Sequence, residues 1–227
     1  MNRFDTTCWF LVDDAANDVP GAREEFARNY APAVRAYLCH RWRRSHCLQQ
    51  IDDAIQELFL ECFRQGGLLD KVDGQYPGGF RAFLYGVTRN VALRFETRHG
   101  RQRARTGAEN VDPAELPADE ATLSQVFDRS WLESILRQAA ARQQARAKQQ
   151  GADAERRVNL LELRFRDDLS FGEIAELWNV DIQWLYREAA RARQEFKEAL
   201  FEVVSFHNPR SPAEIERECA ELLALLG

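Results

Sequence analysis

The stretch Ser170–Arg187, SFGEIAELWNVDIQWLYR, holds two short apolar-patterned runs that meet at WNV. The first carries Ile174, Ala175 and Leu177. The second carries Ile182 and Leu185 and continues to Ala189, at helical spacing. Ser170 and Glu173 have the spacing of a capping box, in which the hydroxyl accepts from the Glu173 amide and the carboxylate reaches back. Asn179 stands where a left-handed residue would turn the chain, and Asn tolerates that conformation better than most residues. Asp181 can cap the restart. A helix that stops and restarts at once aims its second half. Two helices, a short turn and a polar outer face on the second make a helix-turn-helix, whose second helix enters a major groove.

Outward from this stretch the whole chain reads as helix, so an all-α fold is expected. Gly21 to His40 predicts a helix with Phe26, Tyr30, Val34 and Leu38 on one stripe and Pro32 as a site of kinking. Ile51 to Arg64 predicts a second helix, with Ile51, Ile55, Leu58 and Cys62 on its stripe, widened by Phe59 and Phe63. Breakers crowd Gln65 to Gly79, which reads as a loop. Phe80 opens a third helix that ends in an arginine run. Thr106 to Ala121, acidic and holding Pro113 and Pro117, reads as a linker. Leu123, Phe127, Trp131, Ile135 and Leu136 start another helix, which Gly151 ends. Ala154 to Asp167 predicts one more, with Val158, Leu161 and Phe165 inward. SPAEIERECAELLALL, from Ser211, has a capping box and an apolar stripe of Ile215, Cys219, Leu222, Leu223 and Leu226. The expected plan is two small helical domains, 22–105 and 123–205. An extension at 1–21, an acidic linker at 106–122 and a C-terminal amphipathic helix within 206–227 complete it.

The 227 residues leave room for one or two domains with real cores. No apolar run approaches the roughly 18 residues that span a bilayer. The N-terminus lacks a basic segment followed by an apolar one, so no secretory leader is expected. Five cysteines, an odd number, fit a reducing cytoplasm better than a disulfide framework. The net charge of −5 by itself argues against a nucleic-acid ligand, but the signs are segregated. Phe80 to Arg105 holds seven arginines against Glu96 alone. Thr106 to Glu120 holds five acids and no base. A local basic stripe is what counts for phosphate contact.

Three segments in this order resemble the bacterial ECF-type (extracytoplasmic function) sigma factors, promoter-recognition subunits of RNA polymerase. DDAIQELFLECFR looks like that family's D-L-V-Q-E-x-F segment. FRAFLYGVTRNVALRFETRHGRQRAR looks like its arginine-rich region 2 helix. LLELRFRDDLSFGEIAELWNVDIQWLYREAARARQEF looks like its region 4 helix-turn-helix. The likeness covers about Arg23 to Glu202. The family's Gly at the turn is Asn179 here, and its GTVKS becomes QWLYR. The resemblance implies a cytoplasmic initiation factor that binds polymerase core through clamp and flap regions and recognises −10 and −35 promoter elements. It implies no covalent chemistry. It leaves open an anti-sigma partner, or intramolecular inhibition by the C-terminal helix.

Residue roles follow from that resemblance and from side-chain chemistry. Asp53, Gln56, Glu57, Phe59 and Leu60 would meet the polymerase clamp, with ordinary core packing the competing reading for Phe59. Arg81, Arg89, Arg94, Arg98, Arg101 and Arg103 would fork onto phosphates near the −10 element, and Asn90 could read a base edge. Lys71 and Tyr76, in the loop Gly66–Gly79, would capture a flipped base. On the second reader, Gln183 could read adenine, Trp184 thymine methyls and Arg187 guanine or a phosphate, with Tyr186 beside them and Arg191 on the backbone. Packing on the domain's own surface competes with DNA contact for Trp184.

Other classes fare worse. CHRWRRSHC, Cys39–Cys47, gathers two Cys and two His, but C-H-x5-H-C does not match paired zinc-ligand spacing, so no metal is expected. No cofactor or enzyme motif is found: no phosphate-cradling glycine loop and no nucleophile elbow. A helix-turn-helix regulator acting without polymerase is the alternative function. It would need a dimer seam to span two half-sites.

Overall fold

The computed structural model describes residues 9–72, 76–77, 79–105, 119–207, 211, 213, 215–216 and 219–220. Among these the regular structure is entirely helical. It comprises α1 (Trp9–Ala16), α2 (Ala22–Arg41), α3 (Ile51–Phe63), α4 (Gly79–Arg105), α5 (Glu120–Gln150), α6 (Ala152–Phe165), α7 (Phe171–Trp178) and α8 (Ile182–His207). Two 3-10 turns, His46–Gln50 and Leu69–Lys71, lie on either side of α3. None of these helices is long and apolar enough to cross a membrane. The chain divides into two compact units, built chiefly on Met1–Ser134 and Ile135–Ser205.

In the first unit the stripe read on α2 is the centre of the core. Phe26, Tyr30, Val34 and Leu38 are all fully buried, and α2 runs through Pro32 as one helix. The Phe26 ring meets Phe59 at 6.0 Å, Phe63 at 5.3 Å and Phe80 at 5.7 Å, each edge-on. Such edge-to-face packing places the positive ring edge on the negative ring face. It ties α2, α3 and α4 together.

Two expected boundaries move. Residues 1–21 were expected as an extension, yet α1 buries Leu11, Val12 and Ala15 and packs on α2 and α3. Leu11, Val12 and Ala15 of α1 close one side of the core. Residues 123–205 were expected to form the second domain, yet the division between units falls inside α5, after Ser134. Leu123 and Phe127 are fully buried and Trp131 nearly so. Their partners are in the first unit: Trp131 stacks on Tyr30 at 5.4 Å and Phe127 meets Tyr85 at 5.3 Å. Apolar periodicity fixes which side of a helix is buried but not which domain buries it.

The second unit contains the break and restart. The Ser170 N–H donates to Glu173 Oε2 at 2.7 Å, and the Glu173 N–H donates to Ser170 Oγ at 3.2 Å, a reciprocal capping box. The Ser170 hydroxyl, donating to Glu173 Oε2 at 2.7 Å, and the Ser170 N–H hold the Glu173 carboxyl below its ordinary range. Asn179 ends α7 at φ 50°, ψ 54°, in the left-handed region. The Trp184 N–H donates to Asp181 Oδ1 at 2.9 Å and starts α8. Leu160, Ile174, Ala175, Leu185 and Ala189 form the buried centre. On α6 the inward residues are Ala154, Val158 and Leu160, whereas Phe165, expected inside, is 69% exposed. Farther along α8 the buried Gln143 donates from Nε2 to the Ala192 carbonyl at 2.9 Å, fixing α5 to α8.

The left-handed turn gives a first prediction. A β-branched side chain there brings Cβ against the following carbonyl, so Asn179→Val should cost about 1–2 kcal/mol. Asn179→Gly should be near neutral. Urea denaturation followed by circular dichroism compares them, and equal midpoints for the two variants would remove the turn from the account.

Candidate nucleic-acid interface

The arginines of α4 do not lie on one free stripe, which corrects the sequence expectation. Contacts divide them between two neighbours. Arg94 and Arg98 reach back to α3: Arg98 Nη1 donates to Glu57 Oε2 at 2.7 Å, and Arg94 Nη2 pairs with Glu57 at 3.2 Å and Glu61 at 2.6 Å. Arg81 and Arg89 reach the start of α5. Arg81 pairs with Asp128, and Arg89 Nε donates to Glu120 Oε1 at 3.1 Å. The hydrogen bonds from Arg98 hold the Glu57 carboxyl below its ordinary range. At Glu120 burial opposes ionisation, but hydrogen bonds from Arg89 and Tyr85 bring its carboxyl below that range too. Burial pushes the Tyr85 phenol up to about 12, and its bond to Glu120 adds to this.

These pairs do not neutralise the surface for good. The four arginine side chains keep 38–58% of their exposure. Ion pairs between exposed groups are weak and salt-screened, whereas a polyanion releases counterions when it binds. Arg101 and Asn90 are exposed on the same helix. Arg103 is helical, but its side chain lies outside the described residues.

On α3, Asp53 and Gln56 are exposed and Leu60 is 63% exposed, a large apolar group in water. Glu57 is engaged with the arginines. Phe59 is half-buried and stacks on Phe63 at 5.8 Å, so the core reading accounts for it. Lys71 ends a 3-10 turn and is exposed. Tyr76 is partly exposed, its ring edge-on to Phe83 at 5.6 Å. The loop expected to capture a base falls partly outside the described residues, at 73–75 and 78.

One network escapes the sequence reading. Arg41 sits in the stretch read as a helix end and basic loop, yet its side chain is 4% exposed. Its Nε donates to Glu96 Oε1 at 2.7 Å and its Nη2 to Oε2 at 3.0 Å, a bidentate fork, and Trp42 Nε1 donates to the same carboxylate at 2.8 Å. Burial works against the Arg41 charge, but Glu96 more than offsets it, so the guanidinium pKa lies above its ordinary range. The one acid of the arginine-rich segment is therefore a structural residue. A lone acid among seven arginines was the available signal.

On α8, Gln183, Tyr186 and Arg187 are exposed. Trp184 is not: it is half-buried against the core of the second unit, with the Arg156 guanidinium 4.9 Å above its ring. Of the two readings for Trp184 this is the packing one, and it moves the ring from the outward position expected for base contact, because residue 184 adjoins Leu185 on the edge of the buried face. Arg191 is exposed and pairs with Glu188 at 2.8 Å. Of the tail, Ile215 and Cys219 are buried, and Lys197 pairs with Glu216 at 3.6 Å. Lys197 stands ten residues beyond Arg187, about 15 Å along α8, so this ion pair lies away from Gln183, Tyr186 and Arg187. The rest of the tail stripe lies outside the described residues.

Two surfaces thus present cations and hydrogen-bonding groups to solvent: α4 with its exchangeable carboxylate partners, and the first turns of α8. No family model matches the chain and no curated protein does either, so what these surfaces do is read from geometry and charge.

Proposed function

We propose that the chain is a transcription initiation factor of the ECF sigma type, which binds RNA polymerase core and directs it to promoters. The carrying observation is the helix-turn-helix of the second unit. Its capping box, left-handed Asn179 and Asp181 cap fix α8 in place, while Gln183, Tyr186 and Arg187 stay open to solvent. In this reading α8 enters the major groove of the −35 element. The arginines of α4 follow phosphates near the −10 element, exchanging Glu57, Glu120 and Asp128 for DNA. Asp53, Gln56 and Leu60 form the exposed part of the polymerase contact. The protein performs no covalent step. It supplies sequence recognition to the enzyme it accompanies.

A polymerase-independent helix-turn-helix regulator is the second reading. The carboxylate cover on α4 favours it, since α8 would then be the DNA-binding element. Run-off transcription with purified core polymerase over a promoter library separates the two. The first reading expects promoter-specific transcripts that depend on this chain. A chain that binds duplex DNA but neither core nor promoter-directed synthesis belongs to the second.

Within the selected promoter, Arg187→Ala should lose about 1–3 kcal/mol of discrimination at one base pair, roughly 5- to 150-fold. Arg191→Ala should weaken all sequences alike. Binding measured against a set of single-base-pair variants checks this, and uniform losses for both variants would remove Arg187 from base reading.

A further inference from the structure

Arg156 of α6 lies outside the helix-turn-helix and was not singled out from sequence. Its guanidinium stands 4.7 Å from the Trp178 ring centroid and 4.9 Å from that of Trp184. Both distances are within the range of cation–π attraction. Among the described residues it has no carboxylate within ion-pair distance. Its neighbours differ: Arg157 pairs with Glu188 and Glu195, and Arg191 with Glu188. The two indoles therefore hold a guanidinium in place without neutralising it.

Among the described residues the Arg156 side chain makes no hydrogen bond or ion pair, so its N–H donors can fork onto an anion while the rings hold its position. The depression it borders is also lined by Asp153, Arg157, Glu188 and Arg191. Arg157 and Arg191 share Glu188, and Arg157 also pairs with Glu195 at 2.7 Å, so of the three arginines Arg156 alone is left without an acid partner among the described residues. Trp184 follows Gln183 directly and lies one turn before Glu188 on α8, so the site adjoins the exposed reading positions. A tryptophan beside a reading helix then has a use that requires no base contact.

We propose that Arg156, held over the Trp178 and Trp184 rings, is a clamp for one backbone phosphate of the duplex that α8 reads. The assignment rests on the reading of α8 as a DNA-binding helix. Trp178 and Trp184 are positioning residues that act through Arg156.

The test uses the full chain and a labelled random-sequence duplex, because a phosphate contact carries no sequence information. Anisotropy is measured over a sodium chloride series. Arg156→Gln should weaken binding roughly tenfold and reduce the slope of log K against log salt by about 0.9. Arg156→Lys should keep the slope, with an intermediate affinity. Trp184→Phe should stay near wild type because it keeps an aromatic face, whereas Trp184→Leu should lose affinity with every charge retained. If Trp184→Leu does not fold, the Arg156 variants and Trp184→Phe still decide. Wild-type binding with an unchanged slope for Arg156→Gln, and a loss for Arg191→Ala, overturns the clamp and leaves the interface. No duplex binding by the wild type overturns both. A saturable change in tryptophan fluorescence with inorganic phosphate, absent at matched chloride and abolished by Arg156→Gln, would make this a free-anion site and overturn the DNA assignment.

Discussion

Arg41→Leu is expected to destabilise the first unit by about 3 kcal/mol, seen as a lower urea midpoint with an unchanged slope. Removing one partner of a buried ion pair typically costs about 3–5 kcal/mol, because the other charge is left without compensation. The lower end applies, since Glu96 keeps 27% exposure and can recover some water. The loss also spreads. The Arg41 Nη1 donates to Tyr37 Oη and to Glu120 Oε1, both at 3.3 Å, so α2, α4 and the start of α5 lose one shared donor. Leucine fills much of the vacated space, so the effect reports charge rather than a cavity. Arg41→Leu combined with Glu96→Leu should recover much of the loss, because isosteric apolar pairs often match or exceed buried ion pairs. A single variant within about 1 kcal/mol of wild type would show that water, not Arg41, satisfies Glu96.

The helix-turn-helix was legible because its signals are local. Ser170 and Glu173 are three residues apart, Asn179 turns on its own backbone, and Asp181 caps a neighbour. Spacing alone encodes such contacts. What sequence did not reveal is nonlocal. Glu57 lies 41 residues from Arg98, and Glu120 lies 31 from Arg89. Segregation of charge showed that acids and bases were kept apart along the chain, not that they meet in space. Trp184 was ambiguous for a different reason: at the border of an amphipathic face, a bulky ring can turn either way, and Trp178 and Arg156 decide it. The exposed positions Gln183, Tyr186 and Arg187 of α8 were therefore legible, while the Arg156 contact with Trp178 and Trp184 was not.

Trp131→Ala is the second large effect, and it tests where the first unit ends. Its indole stacks on Tyr30 at 5.4 Å and on Phe127 at 6.2 Å, and meets Phe80 at 6.3 Å. Truncating a buried Trp to Ala costs about 3–5 kcal/mol through lost transfer energy and the cavity left behind. The expected outcome is a loss in that range, falling on the unfolding of the first unit, with Trp131→Phe losing much less. A shift confined to the second unit would return the start of α5 to the domain that sequence spacing assigned it to. The functional consequence follows from the same seam. Leu123, Phe127 and Trp131 anchor the helix segment whose Glu120 and Asp128 face Arg89 and Arg81. With the aromatic anchor gone, those carboxylates lose their fixed position and the arginines become easier for phosphate to claim. Trp131→Ala should therefore bind duplex DNA at least as tightly as wild type while being markedly less stable. A variant that loses stability and DNA affinity in proportion would show that the carboxylates support the arginine surface rather than compete for it.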